Sequence, residues 1–379
     1  MKKRELGFKT DRYKLGPLEL TSFYNPYRTN VFTLLLTPFL SIGSALIAAS
    51  YFKKNGVKVY LTPTSLAVYI TYDASNKDTA IERLFESIND FRMSQDELDD
   101  YKIKSIFGLD GEDRMYSELL PKFFGDGFNI EDEIKKVNLT SVIKEIKGLY
   151  NPDGVQAFYF GNCAEGLKSK SFSLFLSEMK EVKKKRGEAA KEKLTIKKDQ
   201  INGKAESEIS KVSFLVSLPN RESLCRQFSD DVFAYLAYLP YFFLGGFDKF
   251  ISDQEKASNI ITSSGVKIIE KNELILVLNS FSCVDSDKLI SSFKKRKNIR
   301  ADGFSFSKVK SIIYQKDAEL AYDYVMCMKK WVEARENNLN LDDLINSEIN
   351  MSLSKFSLIS KAVSSFKTAI YLQLGDRLK

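Results

Sequence analysis

Histidine is missing from all 379 residues, and that gap closes several catalytic routes together. Imidazole is the usual general base near neutral pH, the commonest metal ligand and the group that activates serine or cysteine nucleophiles. Cysteine is scarce as well. Cys163, Cys225, Cys283 and Cys327 stand far apart, with no C-x-x-C pair and no spacing that suits a zinc site or a disulfide framework. They read as buried thiols, and a cysteine nucleophile would have no imidazole beside it to lower its pKa. Acids are absent from Thr21 to Tyr72. No catalytic, cofactor-binding or metal-ligating residue is assigned, and no cofactor is expected.

No apolar leader is visible at the start of the sequence. The start MKKRELGFKTDRYKLG is basic but has no hydrophobic stretch behind it, so no secretory signal is visible. The expected compartment is cytoplasmic if Met1 is the natural start, and periplasmic or mitochondrial if a targeting segment has been removed. Val31 to Phe52 is a run of 22 uncharged residues, long enough to span a bilayer. Pro38, five Ser/Thr residues and a change of pattern at the proline argue against a span. The run reads instead as a buried strand over Asn30–Thr37 and a buried helix over Ser41–Lys54, stopped by Asn55-Gly56.

What is present begins with charge, and its location says more than its sum. The net charge is +7, and the stretch Lys180 to Lys204 alone has ten Lys/Arg against four acids, a net of +6. The rest of the chain is almost neutral. This stretch reads as a solvated basic connector, with nucleic-acid or anionic-membrane binding through it as the alternative function.

The chain also says one thing twice. Gly56-Val57-Lys58-Val59 recurs as Gly265-Val266-Lys267-Ile268, an offset of 209. Each copy predicts a hairpin, Val57–Leu61 with Leu66–Tyr72 and Val266–Glu270 with Glu273–Asn279. A helix follows each at the same offset, carrying Asp78, Ile81 and Leu84 or Asp287, Ile290 and Phe293, with one apolar face toward its sheet. Ser75-x-x-Asp78 is a candidate cap for the first helix, and Ser94-x-x-Glu97 reads as a capping box for the next. Leu139–Tyr150 predicts an amphipathic helix ending at the turn Asn151-Pro152-Asp153-Gly154, followed by the strand Val155–Phe160. In the second half the pattern predicts a strand at Val212–Leu218 and helices at Asp230–Phe243, Ser307–Glu336 and Ser354–Leu374. A duplication of this size means paired domains rather than a solenoid.

Two α+β halves, each a hairpin followed by paired helices, resemble the M16 family of metallopeptidases, which includes insulinase, pitrilysin and the mitochondrial processing peptidase. The local matches are Lys53-Lys54-Asn55-Gly56-Val57 through Tyr72, Tyr150-Asn151-Pro152-Asp153-Gly154 through Gly161-Asn162, and Leu244-Gly245-Gly246-Phe247-Asp248. The resemblance implies two homologous M16-like (LuxS/MPP-like) domains, each an antiparallel-rich sheet with helices packed on one face. Residues 1–164 would be the first domain, 165–208 the basic inter-domain connector and 209–379 the second domain.

Active members of that family carry an inverted zinc motif, H-x-x-E-H, on a helix of the first domain, where two imidazoles hold the metal and the glutamate activates water. The matching helix here, Ser41–Lys54, has neither residue type. The family's second half often supplies an Arg and a Tyr that hold the substrate carbonyl, whereas this chain has Gln254-Glu255-Lys256, with Ile261 near the Tyr position. The resemblance thus implies an inactive pseudopeptidase. Its expected partners are an active M16 peptidase subunit, as companion or structural subunit, or a second copy of the chain, with peptides as ligands and neither nucleic acid nor a transmembrane span expected.

Other constellations have plainer readings. Asp96, Glu97, Asp99 and Asp100 suit the positive end of a helix dipole. Gly108-x-Asp110-Gly111 and Gly125-Asp126-Gly127 lack the lysine and the strand-loop-helix setting of a phosphate loop. Phe233, Tyr235, Tyr238, Tyr241, Phe242 and Phe243 have the spacing of a core helix.

Overall fold

In the computed structural model the chain divides into two units. Met1–Ser117, Asn129–Ala189 and Asp317–Asp343 form the first; Glu118–Phe128, Ala190–Lys316 and Leu344–Lys379 form the second. The structure describes residues 10–25, 29–39, 41–62, 65–73, 75–108, 130–161, 170–179, 200–204, 209–218, 221–242, 261–271, 274–295, 301–363 and 367–374.

The first unit is built on six strands: β1 (Thr10–Leu15), β2 (Leu18–Tyr24), β3 (Asn30–Leu36), β4 (Lys58–Leu61), β5 (Leu66–Tyr72) and β6 (Val155–Gly161), in the order β1-β2-β6-β3-β5-β4. Neighbours are antiparallel except β2 and β6. Every residue of β3 is buried, as expected of an uncharged strand in mid-sheet. Among the described residues before the second sheet, the helices of this unit are α1 (Ile42–Lys54), α2 (Lys77–Asn89), α3 (Gln95–Phe107), α4 (Ile130–Lys136), α5 (Leu139–Leu149) and α6 (Lys170–Glu178). Their apolar faces join Phe32, Leu34, Leu66, Val68 and Ala157 in one core.

The second unit has β7 (Gln200–Lys204), β8 (Ser210–Leu218), β9 (Ile261–Lys271), β10 (Leu274–Cys283) and β11 (Lys367–Leu374), in the order β7-β11-β8-β10-β9. Its helices are α7 (Arg221–Phe228), α8 (Asp231–Phe242), α9 (Ser286–Lys295), α10 (Gly303–Glu319), α12 (Leu341–Asn350) and α13 (Leu353–Ala362), and between α10 and α12 lies α11 (Tyr324–Glu336). Tyr235, Tyr238 and Phe242 of α8 pack with Phe306 and Phe356 in the core, so the aromatic run is structural up to Phe242.

The two sheets share one topology. Order β2-β6-β3-β5-β4 matches β7-β11-β8-β10-β9, and the parallel pair falls at the same place, β2 with β6 and β7 with β11. Even the hairpin register repeats: Lys58 lies opposite Tyr69 and Lys267 opposite Leu278, each 209 residues on. A one-residue slip would turn every side chain to the wrong face, so shared register is a strict test of the duplication. Val57, Ile81 and Leu84 are in the first core, and Ile290 packs against the second. The side chains of Val266, Ile268 and Phe293 lie outside the described residues.

Several expectations are corrected. The helix expected over Ser307–Glu336 is two, because the chain turns at 320–323 and Asp323 caps α11 by accepting from Val325 N and Met326 N at 2.8 and 3.0 Å. The helix expected over Ser354–Leu374 stops at Ala362, and Lys367–Leu374 is the strand β11, paired on both sides. Ser75 does not cap α2: its hydroxyl donates to Asp73 Oδ1, and the N-cap residue is Asn76. The stretch read as connector holds two ordered elements. Helix α6 buries Phe172 and Phe175 in the first core, and β7 pairs with β11.

Helix α11 follows the second hairpin in sequence yet belongs to the first unit. Trp331, the only tryptophan, is 1% exposed and stacks on Phe158 of β6, ring centroids 5.1 Å apart. Arg335 pairs with Glu19 of β2 at 3.3 Å and donates to Gln156, while Glu336 accepts from Thr62. Neither Phe158 nor Gln156 is in the helix-covered core, so α11 lies on the sheet's other face, a helix that the one-faced expectation omits. Among the described residues no helix is long and apolar enough to cross a membrane.

Candidate functional site

The place to look for chemistry is α1, the helix between β3 and the hairpin. Its start is set by Ser41, whose Oγ accepts from Gly43 N and Ser44 N at 3.1 and 3.4 Å. Lys53 and Lys54 favour its C-terminal dipole, and Gly56 just beyond takes a positive φ of 74°. Gly43, Ser44, Ala45, Ile47, Ala48, Ala49, Tyr51 and Phe52 are buried.

The half-exposed positions Ile42, Leu46 and Ser50 form a stripe with a spacing of four. An H-x-x-E-H set needs side chains at i, i+3 and i+4 on one face. The stripe holds Ile42, Leu46 and Ser50, with buried Ala45 and Ala49 at i+3 from the first two, and none of these can ligate zinc as an imidazole or carboxylate does.

Neighbouring helices also close over the stripe. Ser50 Oγ donates to Leu46 O at 3.1 Å and lies 3.1 Å from Ser105 Oγ of α3. A Cβ on Gly43 would stand 2.6 Å from Glu133 O, so the glycine is what lets α4 rest against α1. Tyr51 donates to Asp90 O at 3.1 Å, and its phenol pKa is raised, chiefly by burial. Lys54 pairs with Glu97 of α3 at 2.8 Å. That hydrogen bond is the main cause of both shifts, Lys54 upward and Glu97 downward. Glu97 and Ser94 form the expected capping box. The groups around α1 therefore serve to hold α1, α3 and α4 together.

Among the described residues no group of three or more Cys, Asp or Glu lies close enough to share a metal ion. Leu244–Asp248, Gln254-Glu255-Lys256 and the glycine pairs at Asp110-Gly111 and 125–127 lie outside the described residues, as do Cys163 and residues 180–199 of the basic run. Of the described cysteines, Cys327 is fully buried, and burial pushes the Cys283 thiol up to about 11. Neither has the lowered pKa of a nucleophile. Sequence reasoning missed the role of Trp331 and Arg335 in completing the first unit, since nothing in their spacing ties them to Phe158, Gln156 and Glu19 on strands far earlier in the chain.

No family model matches the chain, and no curated protein sequence matches it. Solved structures do. A protease from Helicobacter pylori superposes with a TM-score of 0.73 at 12% identity, covering 97% of this chain and 99% of that one. A protein from Alicyclobacillus acidocaldarius described as an M16-like peptidase gives 0.74 at 11%, covering 98% and 99%. An inactive M16 peptidase domain from Pseudomonas fluorescens gives 0.70 at 10%, covering 96% and 97%. The fold is M16-like. At 10–12% identity the likeness establishes architecture alone.

Proposed function

We propose that this chain is a non-catalytic M16-like pseudopeptidase that serves as the companion or structural subunit of an active M16 zinc peptidase and binds peptides. One observation carries the reading. Helix α1 has neither histidine nor acid at any position, so no two imidazoles and glutamate of an inverted zinc motif stand on it, in a chain with no histidine. In this reading residues 1–164 and 209–379 are the duplicated domains, and loss of chemistry leaves the paired sheets free to act in assembly. Sheet edges suit peptide addition, because main-chain hydrogen bonds need no catalytic group.

The test has two arms. Elemental analysis and a peptide-library digest of the purified chain should give no stoichiometric zinc and no chelator-sensitive cleavage. Light scattering after mixing with an M16 subunit that carries an intact H-x-x-E-H should give a one-to-one complex. One zinc per chain with cleavage would overturn the inactive reading, and a chain that ignores the M16 subunit would overturn the companion role.

A further inference from the structure

The first unit has a cleft of about 220 Å³ that the M16-like reading leaves unused. It opens where β4 begins, with Lys58 and Thr71 on the hairpin side and Asn76, Thr79 and Arg83 of the α2 region on the other. We propose that this cleft binds a phosphate group, either free or as the phosphomonoester of a small molecule.

The argument starts from charge. Two cations line the cleft and no acid does. Among the described residues neither Lys58 nor Arg83 forms an ion pair, and the Lys58 ammonium donates only to Thr71 Oγ1, at 3.2 Å. Gly56 takes a left-handed conformation, and Arg83 Nη1 passes 3.9 Å from where its Cβ would be, which places the guanidinium beside the start of the hairpin. The acid next along the chain, Asp73, is tied into its own turn by Ser75 N, Ser75 Oγ and Asn76 N at 2.8, 2.6 and 3.2 Å. A guanidinium and an ammonium facing one cleft suit a planar fork and a point charge on the same oxyanion. Liquid water occupies about 30 Å³ per molecule, so the cleft has room for a phosphate together with bridging waters.

The duplicated half acts as an internal control. At the offset of 209, Lys58 corresponds to Lys267, but Asn76 corresponds to Asp285, Thr79 to Lys288 and Arg83 to Ser292. Asp285 caps α9 by accepting from Lys288 N at 3.0 Å. In the first unit the Asn76 side chain turns back to accept from Asp73 N at 3.0 Å, and α2 has no side-chain cap. The same local fold thus tolerates an acid here. The first copy has an amide in place of that acid and an arginine in place of the serine, while a threonine stands where the second copy has Lys288, so its lining is one charge more positive in sum.

The test is calorimetric titration of the full chain with inorganic phosphate at constant ionic strength, with glycerol phosphate and succinate as parallel probes. Saturable phosphate binding should weaken by about 10- to 100-fold in the Lys58→Gln/Arg83→Gln double variant, the range for losing charge-assisted hydrogen bonds. A Lys53→Gln/Lys288→Gln variant of the same net charge should bind as the wild type does, and circular dichroism checks that each variant is folded. Tighter binding of glycerol phosphate would assign the site to an ester, and tighter binding of inorganic phosphate would assign it to the free ion. Absence of saturable binding, equal binding by the folded double variant, or succinate binding as well as phosphate would each overturn the proposal.

Discussion

Replacing Trp331 with alanine should loosen the first unit while leaving the second intact. A tryptophan buries roughly 200 Å², worth about 5 kcal/mol at 25 cal/mol per Å² as an upper bound. Its 5.1 Å stack on Phe158 is part of that gain, and the side chain is 1% exposed. Against it stands the indole Nε1, which is buried with no hydrogen-bond partner among the described residues, a cost of about 1–3 kcal/mol. The net loss for Trp331→Ala is therefore about 2–4 kcal/mol. Trp331→Phe keeps a ring against Phe158 and removes the unpaired N–H, so its cost should be about 1 kcal/mol or less.

A chain with two units need not unfold in one step, so the assay is hydrogen exchange rather than a single melting curve. In Trp331→Ala the amides of β3 and β6 should exchange roughly 30- to 1,000-fold faster, at about 1.4 kcal/mol per factor of ten. Amides of β8 and β10 should be unchanged. The reasoning fails if β8 and β10 respond instead of β3 and β6, or if the phenylalanine variant is as damaged as the alanine one.

Other perturbations read other contacts. Gly43→Ala should cost about 1–3 kcal/mol in urea unfolding, because the new Cβ meets backbone atoms of Glu133, whereas Gly148→Ala in α5 meets nothing within 4 Å and should be neutral or stabilising by up to about 1 kcal/mol. Glu97 titrates below the ordinary carboxylate range because of Lys54, so the pair's contribution is present above about pH 4.3 and is lost as pH falls through the lower folded value. For Lys54, raised mainly by Glu97, the contribution is present below about pH 10.4 and is lost as pH rises through the higher folded value. Glu97→Gln should flatten both ends of the stability profile, and an unaltered profile would rule the pair out. In a Cys163→Ser background, native thiol labelling should modify half-buried Cys225 well before Cys283 or Cys327, whose thiols burial holds protonated.

Much of the fold is legible in the sequence because its signals are local. Ser41, Asn55 and Gly56 delimit α1, Ser94 and Glu97 announce α3, and alternation at Leu66–Tyr72 marks a strand, each within a few residues of chain. The repeat at 209 foretells the shared hairpin register, since register and buried face are written in the same alternating residues. The missing imidazoles and acids are likewise sequence facts. What escaped depends on distant partners. Lys367–Leu374 follows a helix and continues an apolar pattern that suits helix or strand, and it is a strand because β7 and β8 stand on either side of it. β1 and β2 are paired strands whose hairpin stands out little among the charged residues of Thr10–Leu15.

The sequence by itself determined the duplicated elements, the buried rather than membrane-spanning reading of residues 31–52, and the lack of histidine, because each is encoded in residue type and short spacing. Only the tertiary structure decided that α11 belongs to the first unit, that α3 and α4 close over α1, and that Lys58 and Arg83 line one cleft. Those relations join residues far apart in the chain, and the burial and charge that stabilise them arise only when the sheets form and bring their faces together.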